Sequence, residues 1–255
     1  MSKFELRDKV AIVTGGAGGI GTSVALEYSK AGAKVVVSSR KREKLDKVVA
    51  EIKELGGEAL AIATDVCDAN QVDSMVKQTV DHFGRLDILV NNAGGALYVK
   101  KALELTPEEW AAGITLNLTS PYLCSVAAAR EMIPKKSGKI INISSVAGMK
   151  RCPSFPHYGA GKAGLINLTY SLAADWAEHN INVNCIAPGL TATQGIIDWG
   201  VLPSNKREDG TPVPPLQFPH DPEHVANLAV FLASEASDRL TGELIPIRAE
   251  VPSER

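Results

Sequence analysis

The stretch Lys9-Val-Ala-Ile-Val-Thr-Gly-Gly-Ala-Gly-Gly-Ile-Gly21 decides the fold of this chain. Its first six residues form a short apolar run, typical of a buried parallel strand, and the glycines follow directly. A helical pattern from about residue 20 to 31 and a second apolar run over residues 34–39 complete a β-α-β unit. In this context the glycines predict a phosphate-binding turn, because they let backbone N–H groups at a helix N-terminus approach a pyrophosphate. The alternative is a tight strand–helix turn without a ligand.

The same alternation continues along the rest of the chain. Further apolar runs predict strands at residues 58–64, 88–91, 138–144, 181–187 and 241–248. Helical patterns between them cover residues 41–56, 70–83, 107–133, 158–178 and a last helix that begins at Asp221. This order predicts an α/β fold, a doubly wound parallel sheet of the Rossmann type, with about seven strands and helices on both faces. We expect one domain over residues 1–255.

Composition and charge exclude several classes of function. The net charge of −2 gives no reason to expect nucleic acid or an anionic membrane as a partner. No apolar run reaches the roughly 20 residues that span a bilayer, and the polar N-terminus does not resemble a signal peptide. The four cysteines are far apart, with no Cys-x-x-Cys pair, so we expect reduced thiols, a cytoplasmic protein and no metal site.

The segment Tyr158-Gly-Ala-Gly-Lys162 carries the first indication of catalysis. Residues four apart lie on the same face of a helix, so the ammonium of Lys162 can approach the phenol of Tyr158. A charge ~4 Å away would lower the phenol pKa of ~10 by about three units, into the range for proton exchange with an alcohol. Alone, this spacing also occurs by chance on many helices.

The end of the second strand indicates which nicotinamide cofactor would bind. An acidic residue at this position binds the adenosine ribose and repels a 2′-phosphate. This chain has Ser39-Arg40-Lys41-Arg42 instead. Because Arg40 can fork onto a phosphate and Ser39 can donate a hydrogen bond, we expect NADP to be preferred, with NAD as the alternative. An ordinary basic loop would also explain the pattern.

Three motifs in order resemble those of the short-chain dehydrogenase/reductase family in its single-domain form, near the β-ketoacyl carrier-protein reductases. They are Thr14-Gly15-x-x-x-Gly19-x-Gly21, Asn91-Asn92-Ala93-Gly94 and Tyr158-x-x-x-Lys162, and the resemblance covers nearly the whole chain. Together with the residues above, it implies a cofactor site made of Gly15, Gly18, Gly19, Ile20, Gly21, Ser39, Arg40, Asp65, Val66, Asn92, Ala93, Gly94, Tyr158, Lys162, Pro188, Gly189, Thr191 and Thr193. The last four resemble the family's clamp on the nicotinamide carboxamide.

The resemblance also implies a catalytic set of Asn117, Ser145, Tyr158 and Lys162. Ser145 lies thirteen residues before Tyr158, the interval usual in the family, whereas its neighbour Ser144 is not expected to take part. Asn117 is expected to open its helix slightly and to support a proton path. His157 would point about 100° away from Tyr158 on a helix, so we expect it at the substrate side or on the surface.

The family's remaining features are an oligomer and a substrate lid. We expect the lid at about residues 194–219, with a mobile polar insert at 204–210, and pocket positions at Leu97, Tyr98 and Phe155. The resemblance implies a homo-oligomer, a dimer or tetramer. Three glycines on the Tyr158 helix fit such an interface, although packing inside one subunit would explain them too. The tail Arg248-Ala249-Glu250 departs from the family pattern and puts C-terminal tetramer contacts in doubt.

These observations predict an oxidoreductase that interconverts a secondary alcohol and a ketone. The small-molecule substrate would be that of a β-ketoacyl reductase or a general carbonyl reductase. An NAD-linked alcohol dehydrogenase for a steroid, sugar or polyol is the first alternative, because such enzymes share these motifs. A regulator that senses the nucleotide without turnover is the second alternative, and the intact Ser145, Tyr158 and Lys162 argue against it.

Overall fold

Seven parallel strands form the centre of the computed structural model, which describes residues 3–249. The strand order is 3-2-1-4-5-6-7, as expected for a doubly wound sheet, so the predicted fold class is confirmed. The strands are β1 (Val10–Thr14), β2 (Lys34–Ser39), β3 (Ala59–Ala63), β4 (Ile88–Asn91), β5 (Gly138–Ile143), β6 (Ile181–Pro188) and β7 (Leu244–Ile247).

Eight α-helices connect and cover the strands of the described part of the chain. They are α1 (Gly19–Lys30), α2 (Arg42–Glu54), α3 (Ala69–Phe83), α4 (Pro107–Ile114), α5 (Ser120–Met132), α6 (Pro156–Trp176), α7 (Gln194–Asp198) and α8 (Pro222–Ala233). The one helix predicted over 107–133 is in fact α4 and α5, joined by a π-helical turn over Thr115–Thr119. A capping box confirms the predicted start of α4. The Thr106 hydroxyl accepts from the N–H of Glu109, and the Glu109 carboxylate accepts from the N–H of Thr106.

Apolar residues on both faces of each central strand produce two separate cores. Val13 and Val37 lie in the core under α1, α2 and α8, whereas Ile12 and Val36 lie in the core under α3, α5 and α6. Side chains of a strand alternate between its faces, so a strand buried on both sides reads as a continuous apolar run. Helices therefore cover both faces of the sheet, as this pattern predicted.

The loops that carry the predicted site residues leave the same edge of the sheet. The strand order reverses between β1 and β4, and the crevice outside the carboxyl ends of such strands is where ligands bind in open α/β sheets. The loops after β1 to β6 all open on this edge, because the strands are parallel. The fold therefore brings together residues that are far apart in sequence.

Two expectations about the chain ends and loops have different outcomes. Residues 1–2 and 250–255 of the expected domain, including Glu250 of the unusual tail, lie outside the described residues. The insert at 204–210 belongs to a small hairpin in which Arg207 and Val213 donate backbone hydrogen bonds to Thr211 and Asn205, and its mobility stays a prediction. Between residues 3 and 249, none of the helices has the length and apolar character that crossing a membrane requires.

The glycine turn after β1 gives a first testable prediction. A Cβ at Gly21 would overlap the carbonyl oxygen of Gly15 and lie 2.5 Å from Nδ2 of Asn92. Gly21→Ala should therefore lower the free energy of unfolding by about 1–3 kcal/mol. The matched control is Gly18→Ala, because nothing lies within 4 Å of a Cβ there and the backbone is extended. Urea unfolding of both variants checks this, and equal losses would contradict it.

Candidate active site

The glycine turn holds its shape through left-handed backbone and a tie to β4. Gly15 and Gly19 have φ values of +64° and +53°, a region that favours glycine. The side-chain amide of Asn92 donates to the carbonyl oxygens of Thr14 (2.9 Å) and Gly15 (3.2 Å). In return, the Thr14 hydroxyl accepts from the N–H groups of Asn92 and Ala93. The ends of β1 and β4 are thus fixed to each other at the switch point.

A cavity of about 450 Å³ opens beside this turn. Seven of the residues predicted for the cofactor line it, namely Gly15, Ser39, Arg40, Asp65, Val66, Ala93 and Gly94. Six further lining residues were not predicted for the cofactor: Thr64, Cys67, Leu97, Ala112, Thr115 and Leu116. Leu97 was expected in the substrate pocket instead. Ala112 belongs to α4, and Thr115 and Leu116 belong to the π-helical turn. These three residues are distant in sequence from the glycine turn, and no sequence motif identifies them as lining residues.

The Arg40 guanidinium brings a positive charge to the lining of this cavity. Arg40 is exposed, and it makes no ion pair with any residue of the described range 3–249. Its charge reaches the Cys67 thiol, whose pKa is raised by burial and by Asp65 and lowered by Arg40. By contrast, Arg42 is held on α2 by Asp46 at 2.8 Å. Arg40 therefore has the guanidinium that is available for an anionic ligand in the cavity.

Asn117 lies at the π-helical turn between α4 and α5. Its Nδ2 donates to the carbonyl oxygens of Gly113 (2.9 Å) and Gly95 (3.0 Å), and its Oδ1 accepts from the N–H of Gly95 (3.0 Å). A wider turn leaves backbone groups without their usual helical partners, and this side chain satisfies one of them. The fully buried amide thereby joins the opened helix to the loop after β4.

Lys162 is buried on α6, next to Asn117 and the end of β5. Its Nζ donates to the carbonyl oxygen of Ile143 at 2.8 Å, and burial lowers its pKa to about 8. A Cβ at Gly94 would lie 2.8 Å from this Nζ and 2.9 Å from Oδ1 of Asn117. Only glycine fits at position 94 without displacing one of the two groups.

The phenol of Tyr158 stands beside Ser145 and Lys162. The Nζ of Lys162 lies 5.8 Å from the centroid of the tyrosine ring. Burial raises the pKa of Tyr158, and a hydrogen bond with Ser145 opposes this rise. We expected Lys162 to lower the pKa of Tyr158 by about three units. For the protein without cofactor this expectation is wrong, because it neglected the burial of both groups.

The two serines at the end of β5 have different contacts. Ser144 is buried, and its hydroxyl donates to the carbonyl oxygen of Lys162 at 2.8 Å. Ser145 is partly exposed, and its Oγ faces Tyr158 while accepting from the N–H of Ala147 at 3.1 Å. Ser144 therefore fixes α6 against β5, whereas Ser145 remains able to meet a substrate oxygen.

His157 is not on the surface, which corrects one of the two expected positions. It is fully buried against Gly113 of α4, and its ring centroid lies 5.7 Å from that of Tyr98. The absence of a side chain at Gly113 leaves the space that the imidazole fills. Burial lowers the pKa of His157, so the ring is neutral at pH 7. Phe155 meets the Tyr158 ring edge-on at 6.1 Å, and its place in the substrate pocket stays a prediction.

The clamp residues after β6 meet the glycine turn from the other side. The Cγ2 of Thr193 would lie 3.1 Å from a Cβ at Gly19, and Gly189 donates its N–H to the carbonyl oxygen of Ile247 at 2.7 Å. Thr191 is buried, and its hydroxyl donates to the carbonyl oxygen of Gly189 at 3.2 Å. The segment 188–193 is therefore held against β7 and faces the N-terminus of α1.

The glycines of α6 pack inside the subunit. A Cβ at Gly159, Gly161 or Gly164 would meet Cys152, Asn117 or Leu118 respectively. These contacts let α6 approach the opened helix closely enough for Lys162 and Asn117 to share the space beside Gly94. Of the two explanations considered from the sequence, packing within one subunit is the one that these contacts support.

Comparison with known proteins agrees with this geometry. Residues 9–199 match the family model described as short chain dehydrogenase. The chain is 41% identical over 240 residues to a 3-oxoacyl-[acyl-carrier-protein] reductase of Synechocystis sp., covering 93% of this chain and 94% of the relative. It is 36% identical over 244 residues to a subunit of (2S)-[(R)-hydroxy(phenyl)methyl]succinyl-CoA dehydrogenase from Thauera aromatica, covering 94% and 95%.

A solved structure of a hydroxysteroid dehydrogenase from Escherichia coli is also similar, with a TM-score of 0.88 and 31% identity over 97% of this chain and 98% of that chain. The chain belongs to the short chain dehydrogenase family. It is an oxidoreductase that acts on CH–OH or ketone groups, and the resemblance to β-ketoacyl reductases is confirmed. These similarities do not support the alternative of a regulator that senses the nucleotide without turnover.

A nicotinamide dinucleotide is the cofactor of this family, and the residues present fit it. The glycine turn leads into the N-terminus of α1, which can bind a pyrophosphate, and the Arg40 guanidinium lines the cavity beside this turn. Within the described residues, no group of three histidine, cysteine, aspartate or glutamate side chains could hold a metal ion. All four cysteines are free thiols.

The buried Lys162 gives a second testable prediction. Its pKa is about 8 in the folded chain and roughly 10.4 in an unfolded one. Between these values the unfolded state binds more protons, so the stability of the wild type should rise with pH. Relative to Lys162→Met, which cannot titrate, the free energy of unfolding should gain about 2 kcal/mol between pH 8 and about 10.

Chemical unfolding of both proteins without cofactor measures this difference at each pH. Groups distant from Lys162 titrate equally in the two proteins, so their contributions cancel. The neighbouring Cys185 feels the Lys162 charge, but burial raises the pKa of its thiol to about 11, above this pH range. A difference that stays constant over this range would show that Lys162 is not desolvated as its burial requires.

Proposed function

We propose that this enzyme uses NADPH to reduce a ketone to a secondary alcohol, with a β-ketoacyl group as the preferred substrate class. The observation that carries the proposal is the placement of two features on one edge of the sheet. Arg40 and Gly94 line the cavity beside the glycine turn, and Gly94 lies against Lys162 of the Ser145–Tyr158–Lys162 cluster.

The preference for NADP rests on the charge around Arg40. A 2′-phosphate on the adenosine ribose carries negative charge, and a guanidinium binds it through charge-assisted hydrogen bonds. Arg40 and Ser39 line the cavity, and no aspartate or glutamate follows β2 directly to repel the phosphate. Asp65 lies in the same cavity, but its carboxylate already accepts from the N–H of Cys67 at 3.0 Å.

Each member of the proposed catalytic set has a separate task. When bound, the nicotinamide supplies or accepts the hydride. Tyr158 donates a proton to the substrate oxygen in reduction, and Ser145 donates a hydrogen bond to the same oxygen as negative charge develops. Lys162 stabilises negative charge on Tyr158 and holds ribose hydroxyl groups. Asn117 keeps the opened helix and the loop after β4 in place, and we assign it the support of the proton path.

The titration of Tyr158 favours the reductive direction. Because burial raises its pKa, the phenol is protonated at pH 7 and acts as an acid without first losing its proton. A ground-state phenolate, which alcohol oxidation requires, would form only at higher pH in the chain by itself. This difference supports the proposed use as a reductase.

The segment at 194–219 supplies the apolar surface for the substrate, and we assign it as a lid. Exposed apolar side chains concentrate there, with Ile197, Trp199, Val201 and Leu216 between 49% and 81% exposed. Two relatives are named as acting on acyl-carrier-protein or CoA substrates, which favours a thioester. The similarity to a hydroxysteroid dehydrogenase supports the second candidate, an NAD-linked alcohol dehydrogenase for a steroid, sugar or polyol.

We also propose a cytoplasmic homo-oligomer, a dimer or tetramer. Tyr122 of α5 and Tyr170 of α6 are 46% and 43% exposed, although both belong to helices that cover the same face of the sheet. Large aromatic side chains on a helical surface are common at subunit contacts. Four free thiols are typical of a reducing compartment.

The cofactor assignment gives the third prediction. The wild type should bind NADPH more tightly than NADH and should reduce a β-ketoacyl thioester with it. Arg40→Asp should weaken NADPH binding about 10- to 100-fold, because a charged hydrogen-bond partner is lost and a repelling charge is introduced. NADH binding should not weaken. Calorimetry with both cofactors measures these affinities.

Arg42→Asp is the matched control, because it makes the same change of charge two residues further along. Its guanidinium is paired with Asp46 on α2 and does not line the cavity. It should leave the ratio of NADPH to NADH affinity nearly unchanged. If wild type bound NADH equally well, or if both variants lost the same affinity, the second candidate would replace the first.

A further inference from the structure

His220 is a histidine that the catalytic set does not use. It is partly buried directly before α8, and its Nε2 lies 2.9 Å from the hydroxyl oxygen of Thr191. The backbone repeats this contact, since Thr191 and His220 form an isolated parallel bridge and the N–H of Ala192 donates to the carbonyl oxygen of His220 at 2.9 Å. Backbone and side chain together attach His220 to the clamp segment 188–193.

The hydrogen atoms in this contact can be assigned. The Thr191 hydroxyl has one hydrogen, and it points to the carbonyl oxygen of Gly189 at 3.2 Å. The hydroxyl oxygen is then free to accept, and we assign the Nε2 of His220 as the donor, which is one of the two tautomers that this contact allows. Burial lowers the pKa of His220, the nearby His224 lowers it further and Asp221 raises it. The ring is therefore neutral at pH 7, with its single proton on Nε2.

This assignment leaves the other ring nitrogen without a partner. The Nδ1 of His220 is buried and makes no hydrogen bond within residues 3–249. A buried acceptor without a partner destabilises the folded state, and an apolar side chain of similar size would avoid that cost. Stability alone therefore does not explain a histidine here, whereas its one bond to Thr191 does.

Both ends of the proposed lid meet at Thr191. The segment at 194–219 begins after Thr193, whose N–H donates to the carbonyl oxygen of Thr191 at 2.7 Å. The same segment ends at residue 219, directly before His220. On the far side of His220, α8 is anchored in the core by side chains such as Val225 and Ala229. His220 thus connects a rigid helix to the backbone of the clamp.

We propose that His220 is a positioning residue for the nicotinamide end of the cofactor site. By donating from Nε2 to the Thr191 hydroxyl, it fixes the clamp backbone and ties the closing end of the lid to it. The inference rests on the proposed function, because the clamp's role toward the cofactor is part of that proposal. His220 acts through Thr191, so it need not touch the cofactor itself.

The test compares cofactor affinity in four variants of the intact protein. His220→Leu removes the donor and should weaken NADPH binding about threefold to tenfold, the effect of one hydrogen bond. His220→Gln places an amide N–H near the position of Nε2 and should restore affinity to within about twofold of wild type. Thr191→Val removes the acceptor at constant shape and should match His220→Leu.

The fourth variant combines His220→Leu with Thr191→Val. If His220 acts through the hydroxyl, the double variant should bind no more weakly than either single one. The KM for the cofactor should rise, while the KM for the ketone substrate should stay close to wild type. His224→Leu is the control, because its ring is 6.5 Å from that of His220 and does not contact the clamp.

The outcomes separate this inference from the function on which it rests. Binding of neither NADPH nor NADH by wild type would reject both. Tight binding by wild type together with equally tight binding by His220→Leu or Thr191→Val would reject only the positioning role. Losses that add in the double variant, or that Gln fails to restore, would show a merely structural histidine. Should His220→Leu not fold, Thr191→Val and His220→Gln decide the question.

Discussion

The burial of the Lys162 amine is the constraint on which the rest of the site depends. An amine that is removed from water needs a hydrogen-bond acceptor, and the carbonyl oxygen of Ile143 at the end of β5 provides one. The same amine and Oδ1 of Asn117 occupy the space where a side chain at position 94 would lie. The end of β4, the end of β5, the opened helix and α6 therefore converge on one buried group. A change in any of these elements alters the surroundings of Tyr158.

The doubly wound topology turns this local constraint into a two-part site. The tie between Asn92 and the turn after β1 fixes the switch point. The cavity lined by Arg40 opens beside this point, and its lining residue Gly94 lies against Lys162 of the Tyr158–Ser145–Lys162 cluster. A dinucleotide is long enough to need both the cavity and the cluster, whereas a small ketone needs only the cluster.

Much of this arrangement could be predicted from the sequence, because its cause is local. Apolar runs buried on both faces and glycine-rich strand ends identify the β-α-β units, and the motif positions follow from them. The resemblance supplied the opening at Asn117, which helix periodicity alone does not indicate. Three-dimensional effects were missed. The direction of the Tyr158 pKa was wrong because a residue pair in a sequence carries no information on burial. The position of His157 depends on the missing side chain of Gly113, a contact between distant segments.

The central claim is that the Tyr158 hydroxyl transfers the proton, and Tyr158→Phe tests it most directly. The ring is kept and only the hydroxyl is lost, so NADPH should bind with wild-type affinity. The turnover number should fall by a factor on the order of 10²–10⁴, the contribution typical of a positioned general acid. Tyr170→Phe on the exposed face of α6 loses the same hydroxyl and should retain full activity. Turnover by Tyr158→Phe close to that of wild type, with cofactor binding intact, would contradict the account.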